Sequence, residues 1–175
     1  MNKNTNCSYC GYIFTEQKLY PRKCVNCYCF TFNPPSPVAV ALINVWDEST
    51  NKIGSLVQKR NIEPKKGEWA LSGGYMENGE AWEETIAREL KEEIGLWTDP
   101  NSYSLLAVKK ASANGNILIF GQLDYAINLD VINSTFVPND EVSEIGVAYA
   151  PMELAFPSHT EVLLNWFKSL SQYKE

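Results

Sequence analysis

An α/β sandwich built on a mixed sheet, with a small cysteine-rich appendage in front of it, is the architecture predicted by three observations. Strand-like runs are spread over residues 38–149, with helical patterns between and after them. All five cysteines lie within residues 7–29. The stretch Asn33-Pro34-Pro35-Ser36-Pro37 separates the cysteines from the first strand, and prolines at that density stop regular structure. The expected division is therefore an appendage over residues 1–33 and a main domain over 37–175. At 175 residues, 45% hydrophobic and 21% charged, the chain has the size and composition of one globular domain with an appendage.

The elements follow in order. Val38 to Trp46 is an apolar run suited to a buried strand, Asp47 to Asn51 a turn, and Ile53 to Arg60 its hairpin partner. Trp69-Ala70-Leu71 is a short strand ending at Ser72-Gly73-Gly74. Ala81 to Ile94 reads as a helix stopped by Gly95. Tyr103 to Lys110 and Asn116 to Ile127 are strands joined by a turn at Ala113-Asn114-Gly115, and Glu144 to Tyr149 is the last strand. In the final helix Leu163, Leu164, Phe167 and Leu170 recur at helical spacing, and Ser158-His159-Thr160-Glu161 has the form of a capping box, with Ser158 as N-cap.

Charge and hydropathy exclude several classes. No run of 18 apolar residues exists, so no membrane-spanning helix is expected. The polar start, Met1 to Asn6, lacks the apolar centre of a secretion signal, which points to the cytoplasm. A net charge of −6 argues against general nucleic-acid binding. The charge is uneven, however. Residues 52–66 carry five cations against Glu63 alone, and residues 77–93 hold seven of the 21 acids.

Cys7-x-x-Cys10 and Cys24-x-x-Cys27, separated by thirteen residues, have the spacing of a zinc ribbon with four cysteine ligands. The alternatives are two disulfides or five buried thiols; disulfides fit poorly with the absence of an export signal. Cys29 is the odd thiol. A segment this small cannot bury enough core to fold alone, so metal would supply much of its stability.

The acidic block carries the chemistry. At about 100° per residue, Glu89, Glu92 and Glu93 share one sector of the predicted helix, beside an apolar stripe of Ile86, Ala87, Leu90 and Ile94. Three carboxylates at the edge of a buried face repel one another unless a hard cation lies between them. An oxygen-only donor set suits Mg²⁺ or Mn²⁺, ions that also bind phosphates. Gly73 and Gly74 allow close approach of a ligand or metal to the backbone before the helix. Arg88 is placed to pair with Glu84 or Glu92.

The whole segment fits G-x5-E-x7-R-E-U-x-E-E-x-G-U, where U is a bulky aliphatic, through Gly74, Glu80, Arg88, Glu89, Leu90, Glu92, Glu93, Gly95 and Leu96. Residue frequencies put a chance match on the order of one in 10¹⁰ per starting position. The segment resembles the signature box of the Nudix hydrolases, and the resemblance runs from about Pro37 to the C-terminus. It implies an α/β/α sandwich and Mg²⁺- or Mn²⁺-dependent hydrolysis of a nucleoside diphosphate linked to another group X. It implies metal binding by Glu89, Glu92, Glu93 and the Gly73 carbonyl, with Glu92 as a further ligand or base. Arg88 takes an orienting role, while Gly74, Glu80 and Gly95 shape the box. Glu141 is the candidate for a carboxylate from a later loop, with Glu144 and Asp140 behind it. Arg60, Tyr75 and Trp82 are the candidate substrate contacts.

The ribbon makes the chain similar to the zinc-ribbon Nudix group of FAD and NADH pyrophosphatases. The S-Q-P-W-P-F-P-x-S motif of NADH pyrophosphatases is absent. Arg60-Asn61-Ile62-Glu63-Pro64 before Gly67-Glu68-Trp69, and Leu154-Ala155-Phe156, resemble the FAD type. Ser72 stands where many relatives have proline, and the proline some sixteen residues past the box in relatives selective for ADP-ribose is missing. The implied substrates are FAD, ADP-ribose, NADH or a nucleotide sugar, with capped RNA the one nucleic acid in view. Relatives with this ribbon are often homodimers. The alternative is a non-catalytic Nudix-fold ligand sensor, or a regulator that contacts nucleic acid through its ribbon. His159, beside a helix start, is expected to be structural or exposed.

Overall fold

The computed structural model describes residues 5–15, 20–111 and 115–172. The chain forms two compact units, Met1–Pro35 and Ser36–Glu175. The turn expected at Ala113-Asn114-Gly115 falls largely outside the described residues.

In the first unit, β1 (Arg22–Lys23) and β2 (Phe30–Thr31) pair antiparallel, with Arg22 opposite Thr31 and Lys23 opposite Phe30. The two C-x-x-C segments fold alike. Each closes four residues after its first cysteine: Gly11 N–H donates to the Cys7 carbonyl (3.0 Å) and Tyr28 N–H to the Cys24 carbonyl (2.9 Å). Gly11 and Tyr28 both have positive φ, 73° and 61°. Cys7 N–H bonds the Tyr12 carbonyl and Cys24 N–H the Cys29 carbonyl, at 2.8 and 2.9 Å.

The second unit is organised around β3 (Pro37–Asp47). Pro37, the last residue of the proline-rich stretch and the expected start of the main domain, opens this strand, a position where its missing N–H costs little. β3 runs parallel to β8 (Ile117–Asn128) along one side. Its other side is shared: Asn44 to Asp47 pair antiparallel with β4 (Lys52–Arg60), and Val38 to Val40 with β6 (Gly73–Tyr75). β5 (Trp69–Ala70) and β9 (Val142–Ala148) flank β4, and β7 (Tyr103–Lys110) pairs β8. One parallel pair among antiparallel neighbours makes a mixed sheet, as expected.

Alternation along β3 builds a core on each face. Ala39, Ala41, Ile43 and Val45 pack with Ile86, Leu90 and Ile94 of α1 (Trp82–Ile94) and Ile132 of α2 (Leu129–Thr135). Val40 and Leu42 face the other way, into Val162, Leu163 and Trp166 of α3 (Pro157–Gln172). A strand buried on both faces loses its polar alternation, which is why this run reads as continuously apolar.

Three differences from the sequence reading have physical reasons. β6 is Gly-Gly-Tyr, too short and too poor in side chains to announce a strand. α2 is only seven residues with β-branched members, and the Asn128 side chain starts it by accepting from Asp130 N–H (2.8 Å). The capping box at Ser158 does not form. α3 begins at Pro157, whose fixed φ and missing N–H suit a helix's first position, and Glu161 instead pairs with Lys109 at 2.8 Å.

The helix α1 lies close on the sheet at Gly121 of β8. A Cβ there would lie 2.7 Å from Ile86 Cδ1 and inside the contact radius of the Trp82 ring. Gly121→Ala is therefore expected to cost about 1–3 kcal/mol by overpacking, read as a lowered Tm in thermal denaturation.

Candidate metal-binding active site

The entry to α1 is fixed by a clamp around Glu80. One Glu80 oxygen accepts from Arg88 Nε (2.7 Å). The other accepts from Arg88 Nη2 (3.1 Å), Thr85 Oγ1 (2.8 Å) and the Glu77 N–H (2.9 Å). The Arg88 bond, ahead of the others, lowers the Glu80 pKa to about 2. Glu84 reaches back to the Ala81 N–H (2.8 Å), so the helix carries one arm of a capping box here. Gly95 closes the helix in the left-handed region (φ 77°), with its N–H on the Lys91 carbonyl.

Arg88 then spans the site. Its Nη1 donates to Glu89 (2.7 Å) and Glu92 (3.0 Å), and its Nη2 to the Tyr75 carbonyl (3.0 Å). The arrangement ties the loop to the helix and holds two carboxylates in place.

Glu89 and Glu93 are buried, at 8% and 6% exposure. Burial raises the pKa of both, and Glu93 reaches about 7; the Glu141 charge is among the lesser causes at Glu89. Gly74 leaves the space that the Glu89 carboxylate fills, since a Cβ there would lie 2.6 Å from Oε2. Glu93 accepts from the Ser72 hydroxyl and, at 3.2 Å, from the Gly73 N–H. Among the described residues it has no lysine or arginine partner.

A cavity of about 720 Å³ gathers these groups. Glu89, Glu92, Glu93 and Glu141 line it with Gly73 and Gly74; Arg60, Tyr75, Phe156 and His159 line it as well. The donor set of four carboxylates, with Glu89 and Glu93 buried and with Glu93 and Glu141 in no ion pair among the described residues, fits a divalent metal ion. It offers only hard oxygen ligands and leaves like charges uncompensated. Glu144 is instead paired with Lys59 at 3.1 Å, and Asp140 does not line the cavity. Nor does Trp82, whose ring packs into the core over Gly121, because its place in the first turn of α1 points it at the sheet.

Arg60 is held by the Pro64 (2.8 Å) and Ile62 (3.3 Å) carbonyls with its guanidinium over the Phe156 ring. Tyr75 accepts at its hydroxyl from the Asn116 amide (3.1 Å). His159 is buried rather than exposed. Its Nδ1 accepts from the Leu71 N–H (3.3 Å), and burial lowers its pKa to about 3, so it is neutral with its proton on Nε2.

The sequence reading missed Asn139. Its amide donates to the Glu93 carbonyl (2.9 Å), and its Oδ1 accepts from the Glu141 and Val142 N–H groups, both at 2.9 Å. This asparagine pins the Glu141 loop to the end of α1. Its only signal was the turn-forming Pro138-Asn139-Asp140 run.

In the N-terminal unit, Cys7, Cys10, Cys24 and Cys27 bring their sulfurs within 4.8 Å of one another, without disulfides. The Cys7–Cys27 and Cys10–Cys24 sulfur separations are 3.6 and 3.7 Å. A tetrahedral ion with bonds of about 2.3 Å needs about 3.8 Å. Hydrogen bonds lower two thiols, Cys7 to about 6 chiefly through the Tyr9 N–H and Cys10 chiefly through Asn26. At Cys27 the Cys29 N–H lowers the pKa, but burial and the crowd of sulfurs outweigh it and raise it. Cys29 is outside the cluster.

Residues 35–167 match the NUDIX domain, and the chain belongs to that family. It is 38% identical over 100 residues to an ADP-ribose pyrophosphatase of Methanocaldococcus jannaschii, a match covering 55% of this chain and 54% of that one. The match thus spans about half the length of that curated relative. Among solved structures, a NUDIX hydrolase of Nitrosomonas europaea superposes with a TM-score of 0.69 at 24% identity, over 96% of this chain and 93% of that one. The NUDIX domain of Shewanella oneidensis NrtR, complexed with ADP ribose, gives 0.64 at 19% identity, over 79% and 90%. These structural likenesses speak to the fold.

Proposed function

We propose that the protein is a divalent-metal-dependent pyrophosphohydrolase. Its substrate would be a nucleoside diphosphate linked to X, with ADP-ribose the first to test. The observation that carries this reading is the convergence of Glu89, Glu92, Glu93 and Glu141 on one cavity that also holds a cation, Arg60, and exposed Tyr75. ADP-ribose is favoured because one relative is named for its hydrolysis and a fold neighbour was crystallised with it. The FAD and NADH readings rest on the four-cysteine ribbon and, for FAD, on short sequence likenesses.

Mg²⁺ or Mn²⁺ held by Glu89, Glu93 and the Gly73 carbonyl, with Glu92 or Glu141, would neutralise phosphate oxygens and acidify a bound water. Glu92, held at one oxygen by Arg88 and open to solvent, is placed to accept the water's proton. Water adds across the phosphoanhydride, and the products are a nucleoside monophosphate and phosphorylated X. Arg60 and Tyr75 contact the substrate beyond the carboxylates. In the N-terminal unit the four cysteines hold a structural zinc ion.

The test is hydrolysis of ADP-ribose, FAD, NADH, nucleotide sugars, nucleoside triphosphates and NAD-capped RNA with Mg²⁺ or Mn²⁺, with products read by chromatography. AMP and ribose 5-phosphate from ADP-ribose are expected. AMP and FMN from FAD as the fastest reaction would move the assignment to the flavin type. Metal binding with no turnover on any substrate would point to a ligand sensor.

A further inference from the structure

We propose that Ser72 is a positioning residue that fixes which oxygen of Glu93 is presented to the metal. This rests on the functional reading above. The Ser72 hydroxyl and the Gly73 N–H both donate to Glu93 Oε2, so that oxygen already has two partners. The other oxygen, Oε1, is left as the ligand atom. Ser72 is itself buried at 3% exposure, so its hydroxyl has little access to water as a competing partner.

The backbone around Ser72 is held independently of its side chain. The Ser72 carbonyl accepts from the Ala41 N–H (2.8 Å), the preceding Leu71 N–H bonds His159, and Gly73 pairs with Val40. A hydroxyl on this fixed frame is a rigid donor, and Glu93 comes to it from the last turn of α1. Ser72 thus stands to Glu93 as an outer-shell partner stands to a metal-ligating carboxylate.

The experiment measures Mn²⁺ binding without substrate, by electron paramagnetic resonance, for wild type, Ser72→Ala and Ser72→Thr, with Tm recorded for each. Removing an outer-shell partner typically weakens metal binding by about 10- to 100-fold. Ser72→Ala is expected to raise the Mn²⁺ Kd about tenfold, and Ser72→Thr, which keeps the hydroxyl, to restore it. Under turnover, Ser72→Ala should need more Mg²⁺ for half-maximal rate while the substrate KM stays near that of wild type. Ser72→Gly also removes the hydroxyl and should shift the Mn²⁺ Kd the same way; it decides the matter if Ser72→Ala does not fold. An Mn²⁺ Kd equal to wild type in a folded variant that lacks the hydroxyl overturns the proposal. Wild type that binds no Mn²⁺ overturns instead the functional reading on which it rests.

Discussion

Glu93→Gln is expected to lower Mg²⁺-dependent turnover by about a thousandfold or more while making the metal-free protein more stable at neutral pH. The catalytic half of this follows from the proposed ligand role. Loss of a charged oxygen at the metal removes several kcal/mol of charge stabilisation, and about 4 kcal/mol corresponds to about a thousandfold. Turnover left unchanged would remove Glu93 from the mechanism.

The stability half follows from linkage in the metal-free protein. Burial raises the Glu93 pKa to about 7, against about 4.3 for an unfolded glutamate. A folded-state pKa above the unfolded one means that the folded protein binds the extra proton between those values. Its contribution to stability is complete below about pH 4.3 and is lost as pH rises to about 7. The loss is on the order of 3 kcal/mol. His159 acts in the opposite sense. Its pKa is about 3 in the fold, so acid destabilises the protein from about pH 6.5 downwards. The raw stability curve therefore mixes two slopes of opposite sign, and the decisive quantity is the difference between wild type and Glu93→Gln. Denaturation at several pH values in a chelator should show the wild type losing stability relative to the variant between pH 4.5 and 7. Saturating Mg²⁺ should reverse this at pH 8 in the wild type alone. A difference that does not change with pH would mean that Glu93 ionises normally.

Much of this site was legible because it is local. A helix brings Glu89, Glu92 and Glu93 to one sector whatever the rest of the chain does, and Gly74 and Glu80 lie within one loop of it. The two apolar faces of β3 were legible for a similar reason, since burial on both sides leaves a continuous hydrophobic run. What stayed hidden depends on chain that is distant in sequence. Ser72 looks like an ordinary loop serine until α1 places Glu93 against it. Asn139 looks like a turn asparagine until its amide meets the Glu93 carbonyl, 46 residues away. His159 has no local feature that predicts burial; Leu71, 88 residues earlier, supplies the N–H that fixes its tautomer. Trp82 went the other way. Its nearness to the box in sequence suggested a substrate contact, and its position on the helix turned it into the core. Helical phase decided between those outcomes, and Gly121 supplied the room.

The other large effect concerns the N-terminal unit, where Cys24→Ser is expected to abolish zinc binding and the local fold together. Among its described residues the unit has two two-residue strands and two knuckles. Exposed Tyr9, Ile13, Val25, Tyr28, Phe30 and Phe32 show how little of its apolar surface is buried. Burial on that scale cannot offset the ordering of some thirty residues. A structural zinc ion contributes about 10–16 kcal/mol at neutral pH, enough to change the outcome. Natively purified protein should contain about one zinc per chain by elemental analysis, and Cys24→Ser almost none. Trypsin reports the structural consequence. Arg22 and Lys23 lie in β1, paired with β2, and should be cut slowly in the zinc-bound protein and rapidly in the variant or after chelation. Acid should act like the chelator, because protons compete for thiolates that the site needs ionised. Cys7, with its pKa already lowered to about 6, gives up its proton readily at neutral pH, whereas Cys27, raised in the metal-free cluster, must release one as the ion enters. Proton release on zinc binding at pH 7, measured in two buffers of different ionisation enthalpy, separates this site from a pair of disulfides. A pair of disulfides would bind no zinc and release no protons, and would resist trypsin in the chelator until reduced.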